Sequence, residues 1–166
     1  MTWSDSLAAN YTDGIVVLHK GRVVYERYFG VLKEDGQHGA MSVTKSFVGT
    51  LGAMLVAEGV LDADRPVADY VPELAESAFG DATVRQVLDM TTAIRFSEDY
   101  EDPDAEIWAH ASAGNPLPKP DDYRGPRSYY EFLKTVQKNG QHGDAFAYKT
   151  ANTDALRWLI ARVTGS

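Results

Sequence analysis

Cysteine is absent from the chain. That excludes disulfide frameworks, cysteine-based zinc sites and thiol chemistry. Basic charge is scarce: 16 Lys and Arg stand against 24 Asp and Glu, a net charge of −8 over 166 residues. Nucleic-acid phosphates and anionic bilayers both need a cationic surface, so neither nucleic acid nor a membrane is expected as partner. No apolar run reaches the roughly 18 residues of a membrane span. Met1–Asn10 holds no basic segment followed by an apolar stretch, so no signal peptide is visible and a cytoplasmic protein is the default expectation. G-x-G-x-x-G, P-loop and G-x-S-x-G motifs are missing, and His19, His38, His110 and His142 show no ligand spacing. No cofactor and no metal are therefore expected. The remaining composition, 44% hydrophobic and 24% charged, is that of a globular chain. Its length fits one domain or part of a larger one.

Gly14–His19 and Arg22–Phe29 are rich in β-branched and aromatic residues and flank Lys20-Gly21, which predicts a β-hairpin. Ser42–Glu58 predicts a helix that stops at Gly59. Leu61–Leu74 reads as a turn-rich connection with a short helical piece, and Thr83–Met90 as a short helix capped by Thr83. Ser97–Glu106 is an acidic loop. Ala111–Arg127, with Pro116, Pro118, Pro120 and Pro126, is expected to be loop. Ser128 and Glu131 form the capping box of a helix running to about Lys138, broken by Gly140–Gly143. Asn152–Val163 predicts a last amphipathic helix with Leu156, Leu159, Ile160 and Val163 on one face.

One hairpin and a few short helices leave a problem. The Ser42 helix carries no charge from Ser46 to Ala57, so it should be covered on all sides. An isolated two-stranded sheet is marginal in water. More strands are therefore expected to complete the fold, supplied either by a missing C-terminal half or by a second copy of the chain.

Lys45 is the one charge between Ser42 and Ala57. It stands in the first helical turn, where the dipole disfavours a cation, and in apolar company, where desolvation does the same. That makes it a candidate general base. Ser42 lies three residues earlier, on the same face. Its hydroxyl sits beside free backbone N–H groups able to hold an oxyanion. Ser42-x-x-Lys45 thus gathers nucleophile, base and part of an oxyanion site in one turn. A bare S-x-x-K spacing is weak evidence, since a serine opening a helix is usually an N-cap and a terminal lysine often extends into solvent.

The flanking segments add specificity. Met41-Ser42-Val43-Thr44-Lys45-Ser46 resembles the S-x-x-K segment of the serine β-lactamases, penicillin-binding proteins and related esterases. Val67–Leu74 and Thr83–Thr92 resemble the segments that follow it in that family, and Tyr148-Lys149-Thr150-Ala151-Asn152-Thr153 falls where the family carries its second motif. With Glu98-Asp99-Tyr100-Glu101-Asp102-Pro103, the likeness is greatest to the 6-aminohexanoate-dimer (nylon-oligomer) hydrolase branch. It runs from about Tyr11 to Gly165, with Ala111–Arg127 unmatched.

The resemblance implies an α/β (α+β) fold of β-lactamase/transpeptidase type: an antiparallel sheet flanked by helices with a helical subdomain, here incomplete. Residues 1–166 would be the N-terminal part of the hydrolase domain. They divide into a sheet hairpin (11–30), a nucleophile helix (42–58), a helical and loop region (60–147) and the second motif with its helix (148–165). The resemblance further implies acyl transfer, with Ser42 as nucleophile and Lys45 and Tyr148 removing its proton. Tyr100 and Asn152 would bind substrate. Asn152 stands four residues after Tyr148, whereas the family often shows Tyr-x-Asn, so Thr150 is the alternative to Tyr148. The third motif, which supplies a second oxyanion amide, has no counterpart in the chain. A small-molecule amide or carboxylic ester is the expected substrate, ahead of β-lactams, because the pocket rather than the motif sets substrate class. β-Lactamase or D-Ala-D-Ala carboxypeptidase activity is the alternative within the class, and a non-catalytic scaffold the alternative outside it. The acidic run Glu98, Asp99, Glu101, Asp102, Asp104 and Glu106 lacks the spacing of a calcium loop and reads as solvated surface or a rim attracting a substrate amine.

Overall fold

The computed structural model describes residues 2–166. The chain divides into two compact units, with the boundary between Met41 and Ser42. In the first, helix α1 (Trp3–Ala9) is opened by a reciprocal capping box between Thr2 and Asp5. Strands β1 (Gly14–His19) and β2 (Arg22–Tyr28) form the antiparallel hairpin. Its two-residue turn places both Lys20 (φ 49°) and Gly21 (φ 74°) in the left-handed region, the turn whose twist matches paired strands. The register shifts at Val17/Leu18, a bulge that bends the ribbon. Trp3 meets Tyr25 edge-on with ring centroids 6.1 Å apart.

The second unit is helical. It comprises α2 (Val43–Ala57), α3 (Val67–Tyr70), a 3-10 turn (Pro72–Leu74), α4 (Val84–Leu88), α5 (Glu106–Gly114), α6 (Tyr129–Thr135) and α7 (Thr150–Thr164). The final helix is the hub and packs against α2, α3, α4 and α6. Leu156 and Leu159 on its expected apolar face are buried with Leu61, Val71, Phe79, Val84, Ile94 and Leu133. Gly52 lets α2 approach closely: a Cβ there would meet Leu156 Cδ1 at 2.9 Å and Leu88 Cδ2 at 3.1 Å. Among the described residues, no helix is long and apolar enough to cross a membrane.

Local expectations fail at three places, for separate reasons. Ala111–Gly114, expected as loop, closes helix α5, because the prolines that break helices begin only at Pro116. α6 ends at Thr135 rather than near Lys138. Its chain turns extended at Val136, and Gln137 accepts a hydrogen bond from the Arg95 amide while Ile94 and Lys138 pair across it. The Ser128 capping box is half formed: Ser128 Oγ accepts from the Glu131 amide, but the Glu131 carboxylate accepts from Arg127.

Helix α2 buries only Gly52. Val43, Phe47, Leu51 and Met54 recur on one face and are exposed, Phe47 by 66%. Truncating Leu159 should therefore lower unfolding free energy by about 2–5 kcal/mol. Phe47→Ala should cost under about 0.5 kcal/mol. Denaturant unfolding of the two variants measures this, and an equal loss in both would contradict the assignment of α7 as the core helix.

Candidate active site

The site starts at the mouth of α2. Ser42 is the N-cap residue, yet its side chain makes no capping bond. Its hydroxyl instead accepts a hydrogen bond from Lys45 Nζ at 3.0 Å, one turn on. Met41, just before it, adopts φ 45°, a left-handed conformation uncommon outside glycine and typical of strained functional positions. The ordinary role of a serine at a helix start is thus not the one adopted here.

Tyr148 closes the cluster. Lys45 Nζ lies 5.0 Å from its ring centroid. The neighbouring Ser42 hydroxyl holds the Tyr148 phenol below its ordinary value near 10, with burial opposing and the Lys45 ammonium adding to the lowering. Glu98 acts the other way, because its carboxylate disfavours a phenolate nearby. Tyr148 remains 46% exposed, so the cluster opens to solvent. Extended backbone at Lys149 (φ −144°, ψ 116°) carries the next side chain elsewhere: Lys149 Nζ donates to the Ile94 carbonyl at 2.6 Å. Burial pushes the Lys149 ammonium below its ordinary value.

Ser42, Lys45 and Tyr148 are therefore brought together, and Tyr100 and Asn152 are not. Tyr100, 64% exposed, meets Trp108 edge-on at 5.8 Å. Asn152 is 1% exposed and accepts from Thr92 Oγ1 at 2.5 Å, so a side chain expected to touch substrate is sealed in the core of α7. It sits there because the Asn152–Leu156–Leu159 face of α7 is the packed one. Thr150, the alternative to Tyr148, opens α7, and its amide donates to Glu98. Lys45 is half-buried rather than enclosed, since its helical neighbours Val43 and Phe47 are themselves exposed.

Glu98 is the residue that sequence reasoning passed over. It lies in an acidic run whose spacing sets no member apart, yet it joins the start of α7 and faces Tyr148. The other acidic side chains do not converge: among the described residues, no group of three or more His, Asp or Glu is placed to hold a metal ion.

A family model described as Beta-lactamase matches residues 6–166. The chain belongs to the beta-lactamase family. A 6-aminohexanoate-dimer hydrolase from Paenarthrobacter ureafaciens is 43% identical over 155 residues, which are 93% of this chain and 38% of that protein. A solved structure from Bacillus anthracis, provisionally described as a 6-aminohexanoate-dimer hydrolase, superposes with a TM-score of 0.88 at 32% identity, covering 100% of this chain and 44% of that one. A class C β-lactamase in complex with cefoxitin shares the fold at a TM-score of 0.61 and 20% identity, over 98% of this chain and 42% of its own. The expected fold class is thus found in incomplete form, helices with a two-stranded antiparallel sheet. The chain spans less than half the length of each of these relatives.

An ultraviolet difference titration of wild type against Tyr148→Phe isolates this phenol. It should ionise below the ordinary tyrosine value, later in Lys45→Met, which removes a stabilising cation, and earlier in Glu98→Gln, which removes a repelling anion. Because the folded value is depressed, the linked stabilisation is present above the ordinary phenol value and lost as pH falls through the lowered one. Ionisation at the free-tyrosine value in all three proteins would contradict the arrangement.

Proposed function

We propose that the protein is a serine hydrolase that cleaves amide or ester bonds through an acyl-enzyme, with Ser42 as nucleophile and Lys45 and Tyr148 as its activating pair. The observation that carries this reading is the 3.0 Å contact from Lys45 Nζ to a Ser42 hydroxyl released from capping, with the Tyr148 ring against the same ammonium.

The chemistry follows from charge. A Lys45 ammonium favours the Tyr148 phenolate, which then takes the Ser42 proton as Oγ bonds to the substrate carbonyl carbon. The carbonyl π pair moves onto oxygen, where the uncapped N–H groups at the start of α2 stabilise it. Collapse expels the amine or alcohol, which leaves with the proton from Tyr148. Water, deprotonated by the same base, hydrolyses the ester and restores Ser42.

Small linear amides and carboxylic esters are proposed ahead of β-lactams, supported by the 43% identical relative named as a 6-aminohexanoate-dimer hydrolase. The acidic run Glu98–Glu106, in a chain of net charge −8, suits a substrate bearing an amine.

A fluorophosphonate probe should label the wild type and leave Ser42→Ala unlabelled. The labelling rate should rise with pH and level off below the ordinary phenol value, because the phenolate is the base. A linear amide or nitrophenyl ester should turn over faster than a cephalosporin. Preference for the cephalosporin would replace the substrate class, and a folded wild type that takes no label would leave the scaffold reading.

A further inference from the structure

His142 is a buried imidazole outside the reaction described above, its side chain only 5% exposed. Both ring nitrogens are engaged. Nδ1 receives the Ala93 backbone N–H at 2.8 Å, and Nε2 faces Asp81 Oδ1 at 3.1 Å. An amide donor fixes the tautomer: Nδ1 must be the bare acceptor, so Nε2 carries the proton and donates it to Asp81. Lys138 holds the other Asp81 oxygen. Lys138 and His142 together keep the Asp81 carboxyl below its ordinary value, with burial opposing.

The same stretch of chain is stitched to the Met90–Ala93 segment by backbone bonds. Asn139 N donates to Ala93 O at 2.8 Å, Gly143 N to Thr91 O at 2.8 Å, and Ala147 N to Met90 O at 2.9 Å. Gly140 and Gly143, at φ 103° and 95°, make the turns that allow it. The next residue after the last stitch is Tyr148. His142 ties this ladder to Ala93 inside it and to Asp81 outside it.

We propose that His142 is a positioning residue for Tyr148: its imidazole, accepting from Ala93 and donating to Asp81, locks residues 139–147 against Met90–Ala93 and so fixes where the phenol stands beside Ser42 and Lys45. Without the ring, the Ala93 N–H loses its acceptor and Asp81 loses one of its two donors. The charged groups facing the ring are Asp81 and, through it, Lys138; the side chain of Gln86 borders Gly143. The inference rests on the proposed role of Tyr148, but one of its readouts does not depend on catalysis.

Three variants test it: His142→Ala, His142→Asn, whose carboxamide oxygen takes the place of Nδ1, and His142→Gln, whose amide reaches only the place of Nε2. Each is read by the Tyr148 difference titration, by fluorophosphonate labelling of Ser42 and by circular dichroism. His142→Ala and His142→Gln should move the Tyr148 titration up toward free tyrosine and slow labelling at least tenfold, and His142→Asn should recover most of both. A wild-type titration and labelling rate in His142→Ala overturns the inference. So does equal loss in the Asn and Gln variants, a comparison that stands even if the Ala variant does not fold. If Ser42 of the wild type takes no label, the proposed function fails and the titration alone decides the role of His142.

Discussion

One hydrogen bond, from Lys45 Nζ to Ser42 Oγ, organises the site. It spans a single helical turn, so no long-range docking is needed to form it. It exists because the Ser42 side chain forgoes the capping bond that a serine at a helix start ordinarily makes. The uncapped amides and the engaged hydroxyl then lie at the same end of α2, which is the arrangement that acyl transfer requires.

What the helix does not supply is the third group. Tyr148 reaches the pair only because α7 is anchored elsewhere. Its apolar face is buried against α2, α4 and α6, and the chain before it is laddered onto Met90–Ala93. Asn152 and Thr92 tie the first turn of α7 to the same segment, and Glu98 holds the Thr150 amide. The energy of core packing, rather than the short-range motif, thus places the tyrosine. Ser42 then does most to lower its phenol, with Lys45 adding to that effect and burial and Glu98 resisting it.

Features written in local chemistry were legible in the sequence. The hairpin turn at Lys20-Gly21, the Thr83 cap of α4 and the Leu156–Leu159 face of α7 each follow from residue type and spacing. So does the Ser42–Lys45 approach. Features decided by distant partners were not. The early end of α6 depends on the extended pairing around Ile94, and the burial of Asn152 on which face of α7 packs. Glu98 and His142 were hidden for the same reason: an acid among acids and a histidine between glycines acquire meaning only from Thr150, Tyr148, Ala93 and Asp81. The uncharged stretch of α2 predicts cover on all sides, whereas Val43, Phe47, Leu51 and Met54 stand exposed.

The most direct test is rapid acylation by an activated ester, quenched in acid and followed by peptide mass analysis. The account predicts a covalent acyl group on the peptide bearing Ser42, formed quickly in wild type and at least a hundredfold more slowly in Lys45→Met (a loss of roughly 2.7 kcal/mol of transition-state stabilisation). An adduct that forms equally fast without the Lys45 amine, or one that sits on another residue, would contradict it.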